Sequence, residues 1–592
     1  MAMIASLMTW CLVVALGQAP GAPGEAAWLK AVPGDAEVVL RFRGAEPVRN
    51  DLVTMLEAMS PTLAAQAKPA LQTALEQMRV NAGEEAIATD APILVVIRLP
   101  GGNDPPAGPR VALYVRTKDY AALQRSVAGP DHEAKPQARP GGYDALSDRA
   151  GNPSFTFQGD GFAVVANDEG LIRGIAAPKS TLDGALGGEL RDRLLGGDAG
   201  VYVNLAAVRS RYGDQIEQLR QAILAGVERG AAGTGGPKVG AMIRGAYGGL
   251  FDTFKDARAL AVSIDLAAEG LALTGRITVA PDSPAARSLA DARSGTADLL
   301  ARLPADSTFF LDLNVDPSSY QSLQNLSMSF LRGAGGELSE ELQKVMRLQS
   351  EAGPREVAAT SAFGRGGART VNLMTFDDPR KAVESFDRSF QAMRAKPRGL
   401  EWIKDVRIQP RAQTHGGFEL ARATMSLDLD RLAKLQPETP GAAALLRAML
   451  GETMSTWYGT DGKVVLSVTA PDWEQARALI DAATAGRGSL GSSAGFRAVR
   501  SRLPERLGGA FLLSAQGFVR QMSAQLAALQ PENPNIKPPA DLPREPALFG
   551  GALSPAADGY QFQAVVPSAV GPVIEQGLLP LFQGIQARAP QQ

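Results

Sequence analysis

Short runs in which apolar and polar residues alternate recur along this chain, and most are followed by a stretch with apolar residues at helical spacing. GDAEVVLRFRG (34–44) reads as a strand, and Val48, Leu52, Met55, Leu56 and Met59 behind it share one helical face. PILVVIRLP and RVALYVRTKDYAALQRSV (92–127) predict two strands and a helix. A hairpin at 155–166 leads into a helix bearing Leu171, Ile172 and Ile175. AGVYVNLAAVRSRYGDQIEQL (199–219) is a strand feeding a helix, and ALAVSIDLAAEGLALTGRITV (259–279) is a second hairpin.

The same succession then returns. DSTFFLDLNVD (306–316) is followed by Tyr320, Leu323, Leu326 and Phe330 at helical spacing. EVAATSAFG and RTVNLMTFDDPRKAVESFDRSF (356–390) stand for the paired strands and helix, and a hairpin at 456–468 precedes Trp473, Ala476, Leu479 and Ile480. GAFLLSAQGFVRQMSAQL (509–526) and ALFGGALSPAADGYQFQAVV (547–566) close the series. Six features thus recur in one order, at offsets of roughly 260 to 310 residues. The expected architecture is α+β: two tandem repeats, roughly 27–280 and 295–570, each a mainly antiparallel sheet with helices packed on one face. A linker is expected at 281–294, and a C-terminal helix and tail at 571–592.

Local chemistry fits these boundaries. Asp160-Gly161 and Asp461-Gly462 supply the left-handed backbone of a tight hairpin turn. Asn167 and Thr469 are the expected caps of the next helices, with Asp168, Glu169, Asp472 and Glu474 placing acid in the first turns. Asp377-Asp378 before Pro379, and Lys118-Asp119, read as caps of the earlier helices. GGNDPPAGPR (101–110), KPQARPGGYDALSDRAGNP (135–153), RGAAGTGGPKVG (229–240) and PENPNIKPPADLPREP (531–546) read as loops.

The N-terminus carries a targeting signal of its own. Met1–Leu16 is mostly apolar and too short for a membrane span of about 20 residues, and Ala15 and Gly17 fit a signal-peptide cleavage site. The expected organisation starts with a signal peptide, 1–17, and a flexible spacer, 18–26. The n-region lacks Lys and Arg, so an uncleaved anchor is the competing reading. Cys11 is the only cysteine, and cleavage after Gly17 leaves a mature chain without thiols. With 60 basic against 62 acidic residues and no basic run, the chain has no general grip on nucleic acid. Its 592 residues exceed one core.

The stretch Asp461-Gly462-Lys463-Val464-Val465-Leu466, then Gly488-Ser489-Leu490 and Phe496, then Leu503-Pro504 and Ala510-Phe511-Leu512, resembles an uncharacterised domain-of-unknown-function family of exported bacterial proteins. The resemblance is best over 455–520 and weaker over 155–210, where Thr181-Leu182 and Gly184 approximate the middle phrase. It implies fold and export, and no activity.

Motifs that could carry chemistry mostly fail on context. Gly491-Ser492-Ser493-Ala494-Gly495 matches a nucleophile elbow, but no strand precedes it and no histidine follows His415; it reads as a flexible loop. Gly486-Arg487-Gly488-Ser489-Leu490-Gly491 matches a dinucleotide fingerprint but follows a helix. His132 and His415 lie in polar, loop-like contexts without partners at metal-ligand spacing, and read as surface residues. Asp312, Asn314 and Asp316 share one strand face, but Pro317 and Leu323 stand where a calcium loop needs Gly and Glu, so a solvated face is expected. Asp428 and Asp430 form a possible carboxylate pair with Arg431 beside them. Met55, Met59, Met78, Met328 and Met346 lie on helical stripes and read as core.

No catalytic, cofactor-binding or metal-binding residue is therefore expected. The reading is a non-catalytic exported protein, periplasmic or extracellular, binding an envelope protein, glycan or lipid. The alternatives are a carrier of a hydrophobic ligand and a carboxylate-based hydrolase.

Overall fold

The structure, a computed structural model, describes residues 25–82, 86–100, 108–129, 135–234, 255–316, 340–364, 367–395, 402–434, 451–529 and 542–581. The predicted helical run around Tyr320 to Phe330, His132, Met328 and the N-terminal segment lie outside these residues. Helices combine with antiparallel sheet, and the chain divides into two compact units.

The first unit falls within Met1–Glu217, Phe254–Pro281 and Asp558–Gln563. Its strands are β1 (Val38–Phe42), β2 (Ile93–Arg98), β3 (Arg110–Val115), β4 (Gln137–Arg139), β5 (Tyr143–Ser147), β6 (Pro153–Gln158), β7 (Ala163–Ala166), β8 (Ala199–Val203), β9 (Ala257–Ala267) and β10 (Gly270–Val279). They lie in the order β4-β5-β6-β7-β3-β2-β1-β8-β9-β10, antiparallel throughout.

Helices cover this sheet on both faces, which corrects the expectation of one. Ile93, Val95, Ile97, Val111, Leu113 and Val115 pack with Val48, Leu75, Met78 and Leu123 from the helices Ala45–Met59, Pro61–Ala82 and Tyr120–Ala128. The alternate residues Leu94, Val96, Ala112 and Tyr114 pack with Leu171, Ile172, Ile175 and Leu194 from the helices Glu169–Ala176 and Gly188–Leu195. The physical cause is visible in ILVVI and VALYV: a continuous apolar run, unlike an alternating one, has no side fit for water.

The second unit falls within Gln218–Thr253, Asp282–Ala557 and Ala564–Gln592. It contains β11 (Phe309–Asn314), β12 (Pro354–Gly364), β13 (Gly367–Phe376), β14 (Ile403–His415), β15 (Phe418–Leu427), β16 (Thr453–Thr460), β17 (Val464–Ala470), β18 (Gly509–Ser514) and β19 (Leu548–Ala556). Their order is β14-β15-β16-β17-β13-β12-β11-β18-β19, again antiparallel. Adding ten to each strand number of the first order, β10 aside, reproduces the second. Phe310, Leu373, Leu466 and Val468 pack under Leu479, Ile480, Phe496 and Val499 on one face. Met374 and Val465 pack with Ala382 on the other, beside Tyr458 with Phe390.

The hairpin turns form as expected, with Gly161 at φ 75° and Gly462 at φ 91°. Asp378 and Asp119 cap their helices, accepting the amides of Lys381 and Ala122. Two other expectations are corrected. The caps after β7 and β17 are Asp168 and Asp472, accepting from Leu171 and Gln475, and not Asn167 and Thr469. The Asn167 side chain instead serves the start of β3, accepting from Val111 at 2.7 Å, while Thr469 is strand and bonds Thr456 at 2.9 Å. The predicted loop 135–153 holds β4 and β5, because buried Tyr143 packs against Phe155 at 6.3 Å and β5 pairs with β6. Cross-strand packing there outweighs a Gly- and Pro-rich composition.

Candidate functional site

Strand parity builds an exposed apolar surface on the second unit's sheet. In β11, β18 and β19, Phe310, Asp312, Ala510, Leu512, Leu548 and Ala552 point into one core, so their neighbours must point the other way. Register arranges those neighbours in rows across four strands. Ser361, Phe309, Leu513 and Phe549 form one row, in which Leu513 is buried and Phe549 packs against the cluster of Val519 and Val570; Ala359, Leu311, Phe511 and Gly551 form the next, and Val357, Leu313, Gly509 and Leu553 the third. No charged residue stands in this grid, and Phe309 and Phe511 meet at 6.4 Å between ring centroids. Phe511 is 47% exposed, Leu553 45% and Leu311 37%. Glycine at 509 and 551 removes two side chains from the grid.

The first unit has the same grid at the same strands. Ile97-Val38-Val203-Leu260, Val95-Leu40-Val201-Val262 and Ile93-Phe42-Ala199-Ile264 are its rows. There the β2 end is buried, while Val38, Leu40, Val201, Val262 and Ile264 are half-buried. An antiparallel sheet with one solvated face ordinarily alternates polar residues outward. Here both faces are apolar.

Buried charge occupies the opposite face at matching register. In β1, Arg41 lies opposite Gly200 and Leu94; in β11, Asp312 lies opposite Ala510 and Ala358. Arg41 is buried and donates to the Gly197 carbonyl at 2.5 Å. Close by, the wholly buried Asp198 carboxylate meets Arg43 at 2.6 Å, and Arg43 also pairs with Asp51. Burial pushes Asp198 up to about 7, against the opposing pull of the Arg43 guanidinium.

The reading of Asp312, Asn314 and Asp316 as a solvated face is overturned. Asp312 and Asp316 are buried, and Asn314 is held by a 2.9 Å bond from its Nδ2 to the Leu507 carbonyl. Burial raises Asp312 to about 8, and the neighbouring Glu356 carboxylate adds to the rise. Glu356 is raised as well, chiefly by burial, while its Oε1 accepts the Leu299 amide at 3.3 Å. Sequence reasoning missed Glu356. The available signal was an acid opening the strand pattern EVAATSAFG, two residues before buried Ala358.

The remaining candidates are structural. Ser493, read as part of a flexible loop, is buried and caps the helix Ala494–Arg500 by accepting the Phe496 amide at 3.1 Å. Ser492 donates to the Ser489 carbonyl at 2.6 Å. His415, expected at the surface, ends β14 half-buried, with Nε2 2.6 Å from Asp481 Oδ1 and its ring edge-on to Trp473 at 5.9 Å. Asp428 caps the helix Leu429–Lys434, accepting the Arg431 amide at 3.0 Å. Met55 and Met78 are core. Among the described residues no cluster of three or more His, Cys, Asp or Glu side chains could hold a metal. No helix among them is long and apolar enough to cross a membrane.

Comparison with models of protein families, with curated proteins and with solved structures finds no match.

Proposed function

We propose that this chain is a non-catalytic exported protein of the bacterial envelope or exterior, built from two copies of one α+β module, that binds a protein partner through its apolar sheet face. The uncharged grid around Phe511 carries this reading. Singly exposed apolar residues are ordinary, whereas a contiguous apolar patch on a sheet marks a surface that another molecule covers. An exposed sheet face suits a protein surface better than a small greasy ligand, which calls for a concave pocket. Covering Leu311, Phe511 and Leu553 completes their burial and contributes about 2–4 kcal/mol, from ~1.5–3 kcal/mol per fully buried side chain.

The duplication is supported by the shared strand order and by the recurring grid. Export is supported by the apolar Met1–Leu16 run with Ala15 and Gly17, and by the resemblance of 455–520 to an exported family.

The test is a photo-crosslinking amino acid at position 511 of the tagged full-length chain, expressed in a bacterial host and followed by fractionation. A crosslinked protein recovered from the periplasm or medium, and lost in the Leu311→Ser/Leu553→Ser background, is the expected result. Adducts unaltered by those substitutions, or a chain confined to the cytoplasm, would refute the proposal.

A further inference from the structure

Asp312 and Glu356 present a problem of acceptors. Neither Asp312 oxygen receives a hydrogen bond of normal geometry, although the side chain is wholly buried. Glu356 stands opposite Asn314 and so lies on the same sheet face as Asp312, one diagonal step away. Two ionised carboxylates are acceptors only, and cannot bond each other.

β13 sets the uncharged Thr375 opposite Glu356. β18 contributes Ala510 opposite Asp312, with no charge. The helix Asp298–Arg302 contributes the Leu299 amide to Glu356, the Leu300 amide near Asp312, the Asp298 carboxylate and the Arg302 guanidinium. Asp298 opposes ionisation, and Arg302, whose Nε is engaged with the Ala483 carbonyl at 3.1 Å, favours it only in part.

We propose that Asp312 and Glu356 share one proton, the Asp312 carboxyl donating to the Glu356 carboxylate, and that this bond is an acid-favoured latch between β11, β12 and the helix Asp298–Arg302. With the proton present the pair buries a single negative charge and both residues are bonded. Without it two anions face each other in an apolar core, where repulsion is strong.

The sign follows from linkage. Asp312 binds its proton more tightly folded than unfolded, so its contribution is fully present below the unfolded carboxyl range and is lost as pH rises towards about 8. The latch therefore tightens as the surroundings acidify. Its readout is the folding constant of Asp312→Asn, which keeps a donor aimed at Glu356, relative to the wild type. That ratio should climb up to about tenfold per pH unit between pH 5 and 8 and then level.

A spectroscopic measurement stands beside it should Asp312→Asn fail to fold. In an Asp198→Asn background, which removes the other raised carboxyl described above, infrared spectra should show a protonated-carboxyl carbonyl band at pH 7 that fades above pH 9. A flat stability ratio across pH, or no such band at pH 7, would overturn the latch.

Discussion

Replacing Arg43 by Met isolates the cost of a buried carboxylate in the first unit. Asp198 is wholly buried, and its close cation is Arg43 at 2.6 Å. Burial raises Asp198 to about 7 even with Arg43 in place. At pH 5 the carboxyl is therefore protonated in the folded wild type, and loss of the guanidinium leaves no bare anion. Above pH 7 the wild type ionises into the pair, whereas the variant must hold its proton or bury an unpaired charge.

Because the variant binds that proton more tightly, its deficit grows about tenfold per pH unit beyond 7, or about 1.4 kcal/mol. Between pH 5 and pH 9 the extra destabilisation reaches about 3 kcal/mol, within the range for breaking a buried pair. Loss of the Arg43–Asp51 contact, at a carboxylate with some exposure, adds a smaller term at both pH values. Urea titrations of the full-length chain at pH 5, 7 and 9 measure the difference. The double variant Arg43→Met/Asp198→Asn should abolish the pH dependence. A cost equal at pH 5 and pH 9, or larger at pH 5, refutes the reasoning.

Asp119→Ala and Asp378→Ala each remove a cap bond, to Ala122 and Lys381, and should cost about 1 kcal/mol, seen as a lower urea midpoint. Ser493→Ala removes the cap at Phe496 and should cost a similar amount, about 1 kcal/mol; an unchanged midpoint would restore the flexible-loop reading. Gly200→Ala would place a Cβ 1.8 Å from the Leu194 carbonyl oxygen, so β8 and the end of the helix Gly188–Leu195 must separate. The expected outcome is loss of soluble expression at 37 °C, and normal melting of that variant would contradict the backbone approach.

Element type was legible wherever one local pattern decided it. Hairpins marked by Asp-Gly, helices opened by Asp119 and Asp378, and the apolar runs of β2 and β3 follow from turn geometry, capping and period, which need no knowledge of neighbours. The recurrence of features along the chain was equally a property of order alone.

What lies against what required the folded chain. KPQARPGGYDALSDRAGNP has the composition of a loop, yet Tyr143 finds Phe155 and the segment becomes two strands. Asp312 looks like a polar residue on an alternating strand, and parity alone does not say which face meets water; β12, β18 and the helix Asp298–Arg302 enclose it. The uncharged rows around Phe511 are assembled from four strands whose positions run from 309 to 553, so register between distant segments, and no local period, brings them together. Sequence determined the elements because helices and turns are short-range events. Tertiary structure decided the faces because burial depends on every strand at once.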